Sequence, residues 1–208
     1  VFNVPGFRVV GTDGKIKPVS REEGLKLLSS GTMEAVTIDS LRQYVAPEAF
    51  AHVLGFIGEI SQKEMTDEYK TGDFIGKDGV EKEYESLLRG VDGKELFEVE
   101  STGERVRTLG KIDPIPGNDI VLTIDKKLSE AAFAALEGVG RGALVVSNPK
   151  TGEIFTLISK PSFNPNLFTL GLEYKSATES AYQTIDAILT SEDRPLFNRA
   201  IGGMYPPG

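Results

Sequence analysis

Short blocks of apolar and polar residues follow one another along this chain, and the period within each block predicts an element. Phe7-Arg8-Val9-Val10 reads as a strand, Gly11-Thr12-Asp13-Gly14 as a turn whose residues tolerate positive φ, and Lys15-Ile16-Lys17-Pro18-Val19 as the returning strand. Ser20 then offers an N-cap with Glu23 at the capping-box position, and Leu25, Leu27 and Leu28 form an apolar stripe ending at Gly31. A further helix is predicted around Pro47 to Val53. Another lies among Gly76, Gly79, Gly90 and Gly93, with Val80, Tyr84, Leu87 and Leu88 on its apolar side. Leu96 to Glu100 and Arg105 to Leu109 read as two strands of a hairpin turning through Thr102-Gly103.

Asp113-Pro114-Ile115-Pro116-Gly117-Asn118 cannot sustain a helix or an inner strand, because its prolines remove donors and restrict the residues before them. A domain boundary is placed there, giving residues 1–115 and 116–208. Beyond it, Ile120 to Ile124 reads as a strand and Asp125 as the N-cap of a helix. Leu128, Ala132, Ala135, Leu136 and Val139 share one face of that helix, and Gly138 and Gly140 offer stops. Gly142 to Ser147 and Glu153 to Ser159 are β-rich runs joined by the turn composition Asn148-Pro149-Lys150-Thr151-Gly152. Pro161 to Asn166 reads as a stiff loop and Leu172 to Thr190 as mostly helical or irregular. The pattern is that of an α+β chain.

Composition narrows the function. The 208 residues carry 23 basic and 31 acidic side chains, a net charge of −8, with 39% hydrophobic residues. That is too apolar for a disordered chain. The acidity, with no basic stripe, argues against a nucleic-acid binder, which needs clustered Lys and Arg to displace counterions. There is no cysteine, so disulfides, Fe–S clusters, thiolate zinc sites and thiol nucleophiles are excluded, while the cytosol and the bacterial envelope both remain open. No apolar run approaches the ~20 residues of a membrane span, and Val1-Phe2-Asn3-Val4 reads as strand with no basic n-region, so no signal peptide is expected within this sequence. No cofactor or metal is expected.

Several motifs invite a chemical reading. Gly72-Asp73-Phe74-Ile75-Gly76-Lys77-Asp78 is one residue short of a phosphate loop and puts Asp78 where a hydroxyl must reach magnesium, so it reads as a surface turn. His52, the single histidine, sits in apolar sequence and reads as a core residue with one hydrogen bond. Glu81, Glu83 and Glu85 could supply a carboxylate pair, but alternating charges beside Lys82 read as a solvated helix face.

Ser147-Asn148-Pro149-Lys150, the overlapping Lys150-Thr151-Gly152 and the following Ser162-Phe163-Asn164 together spell the three elements of serine enzymes that attack peptides and β-lactams. Physical chemistry rejects them here. The serine of such a quartet needs a helix N-terminus, where it shares a face with the lysine one turn on. This quartet instead bridges two strands, with no room for the helix. Lys70-Thr71-Gly72 also lies in a turn.

Longer stretches carry a family resemblance. Pro116-Gly117-Asn118-Asp119-Ile120-Val121-Leu122-Thr123-Ile124-Asp125, Gly142 to Val146 running into Pro149 to Ile154, Ser162-Phe163-Asn164-Pro165-Asn166, and Arg194-Pro195-Leu196-Phe197-Asn198-Arg199-Ala200-Ile201 through Tyr205-Pro206-Pro207-Gly208 closely resemble a class B penicillin-binding protein. Ala51 to Gly58 and Ile75 to Glu85, continuing to Leu88-Arg89-Gly90, resemble the family's non-catalytic pedestal. The Pro-Ser-Phe-Asn-Pro-Asn and Tyr-Pro-Pro-Gly forms resemble the elongation, PBP2-like branch.

The resemblance implies a non-catalytic, dimerisation-like pedestal over 1–115. It implies the N-terminal part of a transpeptidase domain over 116–208, an antiparallel sheet with helices. In the family a serine attacks the penultimate D-Ala carbonyl of a stem peptide and expels the terminal D-Ala, and the acyl group then passes from the serine to an amine on a neighbouring strand. The Ser-x-x-Lys motif follows Tyr-Pro-Pro-Gly directly, so this sequence is expected to stop short of it and to be inactive alone. No position here matches a catalytic residue of the family, and none is assigned. Pro206, Pro207 and Gly208 are expected to set the angle of approach to the nucleophile helix, and the hairpin from Gly142 to Ser159 to form part of the sheet beneath it. The implied partners are stem peptides and β-lactams for the full-length protein, and a membrane glycan polymerase with other elongation proteins for the pedestal. The implied location is the cell envelope, anchored and outside the cytoplasmic membrane. Two rival readings remain: a non-catalytic scaffold or binding module of the elongation machinery, and a β-lactam sensor or β-lactamase, which would not carry this pedestal.

Overall fold

The computed structural model describes residues 1–10, 16–19, 26, 36–67, 69–99, 105–170 and 180–204. The chain divides into two compact units: Val1–Glu83 together with Thr123–Gly208, and Tyr84–Leu122.

In the first unit, β1 (Phe2–Val10) is the middle strand of an antiparallel sheet of order β2–β1–β3, with β2 at Ile16–Val19 and β3 at Val36–Gln43. β1 begins five residues before the strand read from sequence. Its Pro5 lies opposite Ser40 of β3, while β2 reaches only Phe7 to Val10. Among the described residues Pro5 therefore has a neighbouring strand on one side, a place where a missing donor is tolerated. β3 escaped the sequence reading because its alternation, Val36-Thr37-Ile38-Asp39, slips phase at Ser40-Leu41. Pairing with β1 along its whole length fixes it as a strand. The Gly11–Gly14 turn and the Ser20–Gly31 helix lie outside the described residues, apart from Lys26, which is helical.

Helix α1 spans Pro47–Leu54, as its pattern predicts, with proline in its first turn and Glu48 at the end that favours negative charge. β4 (Ile57–Glu59) and β5 (Phe74–Gly76) form a two-stranded antiparallel sheet, followed by α2 (Gly79–Glu83). Gly55 and Gly79 both take positive φ, and a β-carbon on Gly55 would lie 1.8 Å from the Asp78 carbonyl oxygen. Glycine at that crossing lets the backbone leaving α1 touch the backbone entering α2.

The later part of this unit opens with a correction. Ile120 to Ile124 is not a strand: Val121 is almost fully exposed, Thr123 Oγ1 donates to Ile154 O at 2.7 Å, and just after the segment Asp125 N donates to Phe155 O at 2.8 Å. An apolar run without a ladder of partners stays irregular. Asp125 does cap α4 (Lys126–Ala135), its Oδ1 accepting from Leu128 N at 2.8 Å. β8 (Gly142–Ser147) and β9 (Ile154–Lys160) form the predicted hairpin. The Lys160–Pro161 peptide is cis. Short helices α5 (Asn166–Thr169), α6 (Ile185–Thr190) and α7 (Arg199–Gly202) follow, α6 and α7 capped by the Thr184 and Asn198 side chains. The core is Ala51, Phe163, Leu167 and Ile188, with Phe56, Phe168, Tyr182, Ile185 and Leu196 against it. No helix among the described residues is long and apolar enough to cross a membrane.

The second unit holds α3 (Glu85–Leu88) and the hairpin of β6 (Lys94–Val99) with β7 (Arg105–Ile112). The single helix predicted across Val80 to Leu88 is broken at Tyr84, whose φ of −111° and ψ of 22° leave the helical region. The hairpin is as predicted, although its Thr102-Gly103 turn lies outside the described residues. The proline-rich segment makes one bridge, between Val91 and Ile115, with backbone bonds of 2.8 and 2.9 Å.

Candidate functional site

The functional reading rests on a buried polar joint within the first unit, where the region around α1 meets the segment from β9 to α7. Its parts are far apart in sequence. The Asn166 side chain spans both polar groups of one residue: Oδ1 accepts from Tyr44 N at 2.7 Å and Nδ2 donates to Tyr44 O at 2.9 Å. An N–H can only donate and a carbonyl only accept, so this pair dictates which way the amide points. Asn164 holds it from below, its Oδ1 accepting from Asn166 N at 3.0 Å. Tyr44, Asn164 and Asn166 are all buried. A primary amide suits this position because it supplies one donor and one acceptor side by side, as a paired strand would.

The Tyr44 hydroxyl extends the network. It donates to Glu81 Oε1 at 3.3 Å and accepts from Ile57 N at 3.2 Å. Burial, reinforced by the Glu81 charge, pushes the phenol well above its ordinary range, so it stays protonated. Glu81 is itself buried, and Arg42 answers it through Nε at 3.2 Å and a terminal nitrogen at 3.3 Å. The acidic run is thus not one solvated face. Glu83 is exposed, whereas Glu81 turns inward to a guanidinium that the sequence places 39 residues upstream.

A second set of contacts seats α1. Ser162 Oγ donates to Glu48 O at 2.6 Å, and His52 Nε2 donates to Pro195 O at 2.8 Å. His52 is buried and set edge-on to Phe163, with ring centroids 5.5 Å apart. Burial pulls its imidazole below the ordinary value, against the opposing pull of the Pro195 carbonyl. The core reading of this residue holds. Asn198 joins the two sides: Nδ2 donates to His52 O at 3.3 Å while Oδ1 accepts from Ala200 N at 3.0 Å, capping α7. Ser159 accepts from Arg199 N at 3.0 Å and donates to Phe197 O at 3.3 Å. The Arg199 guanidinium, nine-tenths buried, donates to the carbonyls of Asp193 (2.5 Å), Arg194 (3.3 Å) and Phe197 (3.3 Å).

The remaining sequence candidates fall elsewhere. Ser147 ends β8 on the surface and Lys150 sits in the hairpin turn, where Lys150 N donates to Asn148 Oδ1 at 3.0 Å and Gly152 takes φ of 79°. The quartet therefore crosses a hairpin and offers its serine no helix dipole. Ser162 and Asn164 are spent on the joint. Lys70 to Gly72 forms a turn, and Lys77 is held by Glu64 at 2.6 Å. That contact, with help from Ser61, brings the Glu64 carboxyl down to about 2. Among the described residues no group of three or more His, Asp or Glu converges on a metal position. Pro206 to Gly208 lie outside the described residues. Sequence reasoning missed Tyr44, Arg42 and Asn198. The only local signal was the cap pattern of an Asn before Arg199-Ala200-Ile201.

The chain is similar to known proteins. Residues 26–122 match the penicillin-binding protein dimerisation domain. The peptidoglycan D,D-transpeptidase MrdA of Acinetobacter baumannii is 43% identical over 171 residues, 80% of this chain and 24% of that protein. The chain spans about a quarter of the length of the curated relatives it matches. A crystal structure of Pseudomonas aeruginosa PBP2 in complex with WCK 5153 is 41% identical with a TM-score of 0.60, over 82% of this chain and 33% of that one. The complex between PBP2 and MreC from Helicobacter pylori is 26% identical with a TM-score of 0.66, over 88% of this chain and 34% of that one. Tyr44, Glu48, His52 and Glu81 fall inside the matched dimerisation domain, and Ser162, Asn166, Pro195 and Asn198 fall beyond it. The chain is a homologue of the PBP2-type peptidoglycan D,D-transpeptidases and carries the dimerisation domain of the penicillin-binding proteins.

Proposed function

We propose that this chain is the framework of a PBP2-like D,D-transpeptidase, an enzyme that cross-links peptidoglycan stem peptides by serine acyl transfer. In this reading residues 1–115 are the pedestal and 116–208 begin the transpeptidase domain. The framework orients the acylating machinery without supplying its nucleophile. The observation that carries the reading is the two-pronged bond from Asn166 to Tyr44, which fastens a residue beyond the dimerisation-domain match to one inside it. The Ser147–Lys150 quartet adds to it, because its place on a hairpin turn leaves it without the geometry for acylation. The full-length protein would bind stem peptides and β-lactams, stand outside the cytoplasmic membrane on an anchor, and join elongation proteins through the pedestal. Those proteins would include a membrane glycan polymerase and, by analogy with the Helicobacter relative, an MreC-like partner.

The test is fluorescent penicillin labelling. The 208-residue chain should show no covalent band, and the full-length gene product should show one. A band at the mass of the chain itself would overturn the framework reading. An unlabelled full-length product would instead favour a non-catalytic scaffold of the elongation machinery.

A further inference from the structure

His52 is the single histidine of the chain, and it is buried at the contact between α1 and the turn that leads into α7. Its Nε2–H is committed to Pro195 O, so the neutral ring carries no proton on Nδ1. A second proton must go to Nδ1, on a ring that is buried and set edge-on to Phe163. The fixed charges around it come from several elements. Burial is the largest influence against charging the imidazole; the Pro195 carbonyl and then Asp78, just before α2, favour its charge, and Arg199 on α7 opposes it least. Arg199 itself is held by the backbone carbonyls of Asp193, Arg194 and Phe197. Glu48, one turn earlier on α1, acts on Lys160 at the end of β9. β9 buries Thr156, Ile158 and Ser159, and α4 buries Ser129, none of which titrates near neutrality. Glu81 on α2 is held by Arg42.

We infer that the seat of α1 on the 194–198 turn is a proton-sensitive latch, closed while His52 is neutral and opened when the imidazole takes its second proton. Opening frees the Pro195 carbonyl and the Asn198 bond to His52 O, and with them the hold on the first turn of α7. It also returns the charged ring to water, and burial is the largest influence against that charge.

The direction follows from linkage. In the open state His52 titrates at its ordinary value near 6.5, and in the closed state below it. The latch is fully closed above about 6.5, and the open fraction rises as pH falls from there toward the closed-state value, by up to tenfold per pH unit for one proton. Hydrogen exchange on the intact chain at pH 7.0 and 5.5, corrected for intrinsic rates, reads this directly. Protection of the Phe197, Ala200, Gly202 and Gly203 amides should fall by up to about tenfold, while the β8–β9 ladder stays protected. The His52 ring proton, a lone NMR signal, should titrate below 6.5 in step with that loss. His52→Gln, which keeps a donor for Pro195 but cannot charge, should give equal protection at both pH values. Unchanged protection in the parent protein, an imidazole titrating at or above 6.5, or the same fall in His52→Gln would each overturn the latch. If the variant does not fold, the match between ring titration and amide protection in the parent protein decides.

Discussion

The joint around α1 and the β6–β7 hairpin reverse the usual placement of side chains. In the joint, Asn164 and Asn166 are at 0% and 1% exposure, whereas in the hairpin Leu96 and Ile112 stand at 65% and 66%. Polar groups go inside where every donor and acceptor meets a partner, and the amide of Asn166 does so with one residue. Apolar groups stay outside where two strands have too little of their own core to cover them. The hairpin is held by its ladder, to which surface pairs such as Arg107 with Glu98 at 2.7 Å, both well exposed, add little. The joint is held by backbone groups clasped from side chains more than a hundred residues away. Stability should therefore respond very differently to substitution in the two places.

The largest effect is expected at the apolar centre of the joint. Phe163, fully buried against His52, Phe56 and Phe168, should cost about 4 kcal/mol when changed to Ala, seen as a large drop in the urea midpoint. Next comes Asn166→Ala, which strands the Tyr44 N–H and carbonyl in a buried site. At about 1–3 kcal/mol for each unsatisfied group, a loss near 3 kcal/mol is expected. Asn166→Asp sharpens the point, since it turns an oxygen toward the Tyr44 carbonyl and should be no better than Ala. A loss under 1 kcal/mol for both would break the contrast drawn here. The smallest effect belongs to the hairpin: Arg107→Ala should shift the thermal midpoint by no more than about 0.5 kcal/mol allows, because exposed ion pairs contribute little. A larger shift would show that the hairpin surface is held by more than its ladder.

Legibility followed the range of each signal. The Asp125 cap and its helix, α1, and the β8–β9 hairpin were read correctly because each is written within a few consecutive residues. The Ile120–Ile124 strand was read wrongly for the same reason: local apolar content implies a strand only if another strand lies beside it. Glu81 shows the limit most sharply. Nothing within its own helix distinguishes it from Glu83, and only Arg42 and the Tyr44 hydroxyl, brought up by β3 and the chain that follows, make its burial tolerable. The Ser162-Phe163-Asn164 triplet resembled a catalytic signature, yet its hydroxyl and amide serve the joint.

By itself, then, the amino-acid order determined the α+β class, the Pro47 helix, the Asp125-capped helix, the β6–β7 and β8–β9 hairpins, the rejection of the Ser147–Lys150 quartet and the resemblance to penicillin-binding proteins, since all of these depend on short windows or contiguous motifs. Tertiary structure alone decided that β3 completes the first sheet, that Asn166 clasps Tyr44 across 122 residues, and that His52 meets Pro195. The physical reason is that burying a polar group is favourable only when its partner arrives from elsewhere in the fold, and a one-dimensional pattern carries no record of that arrival.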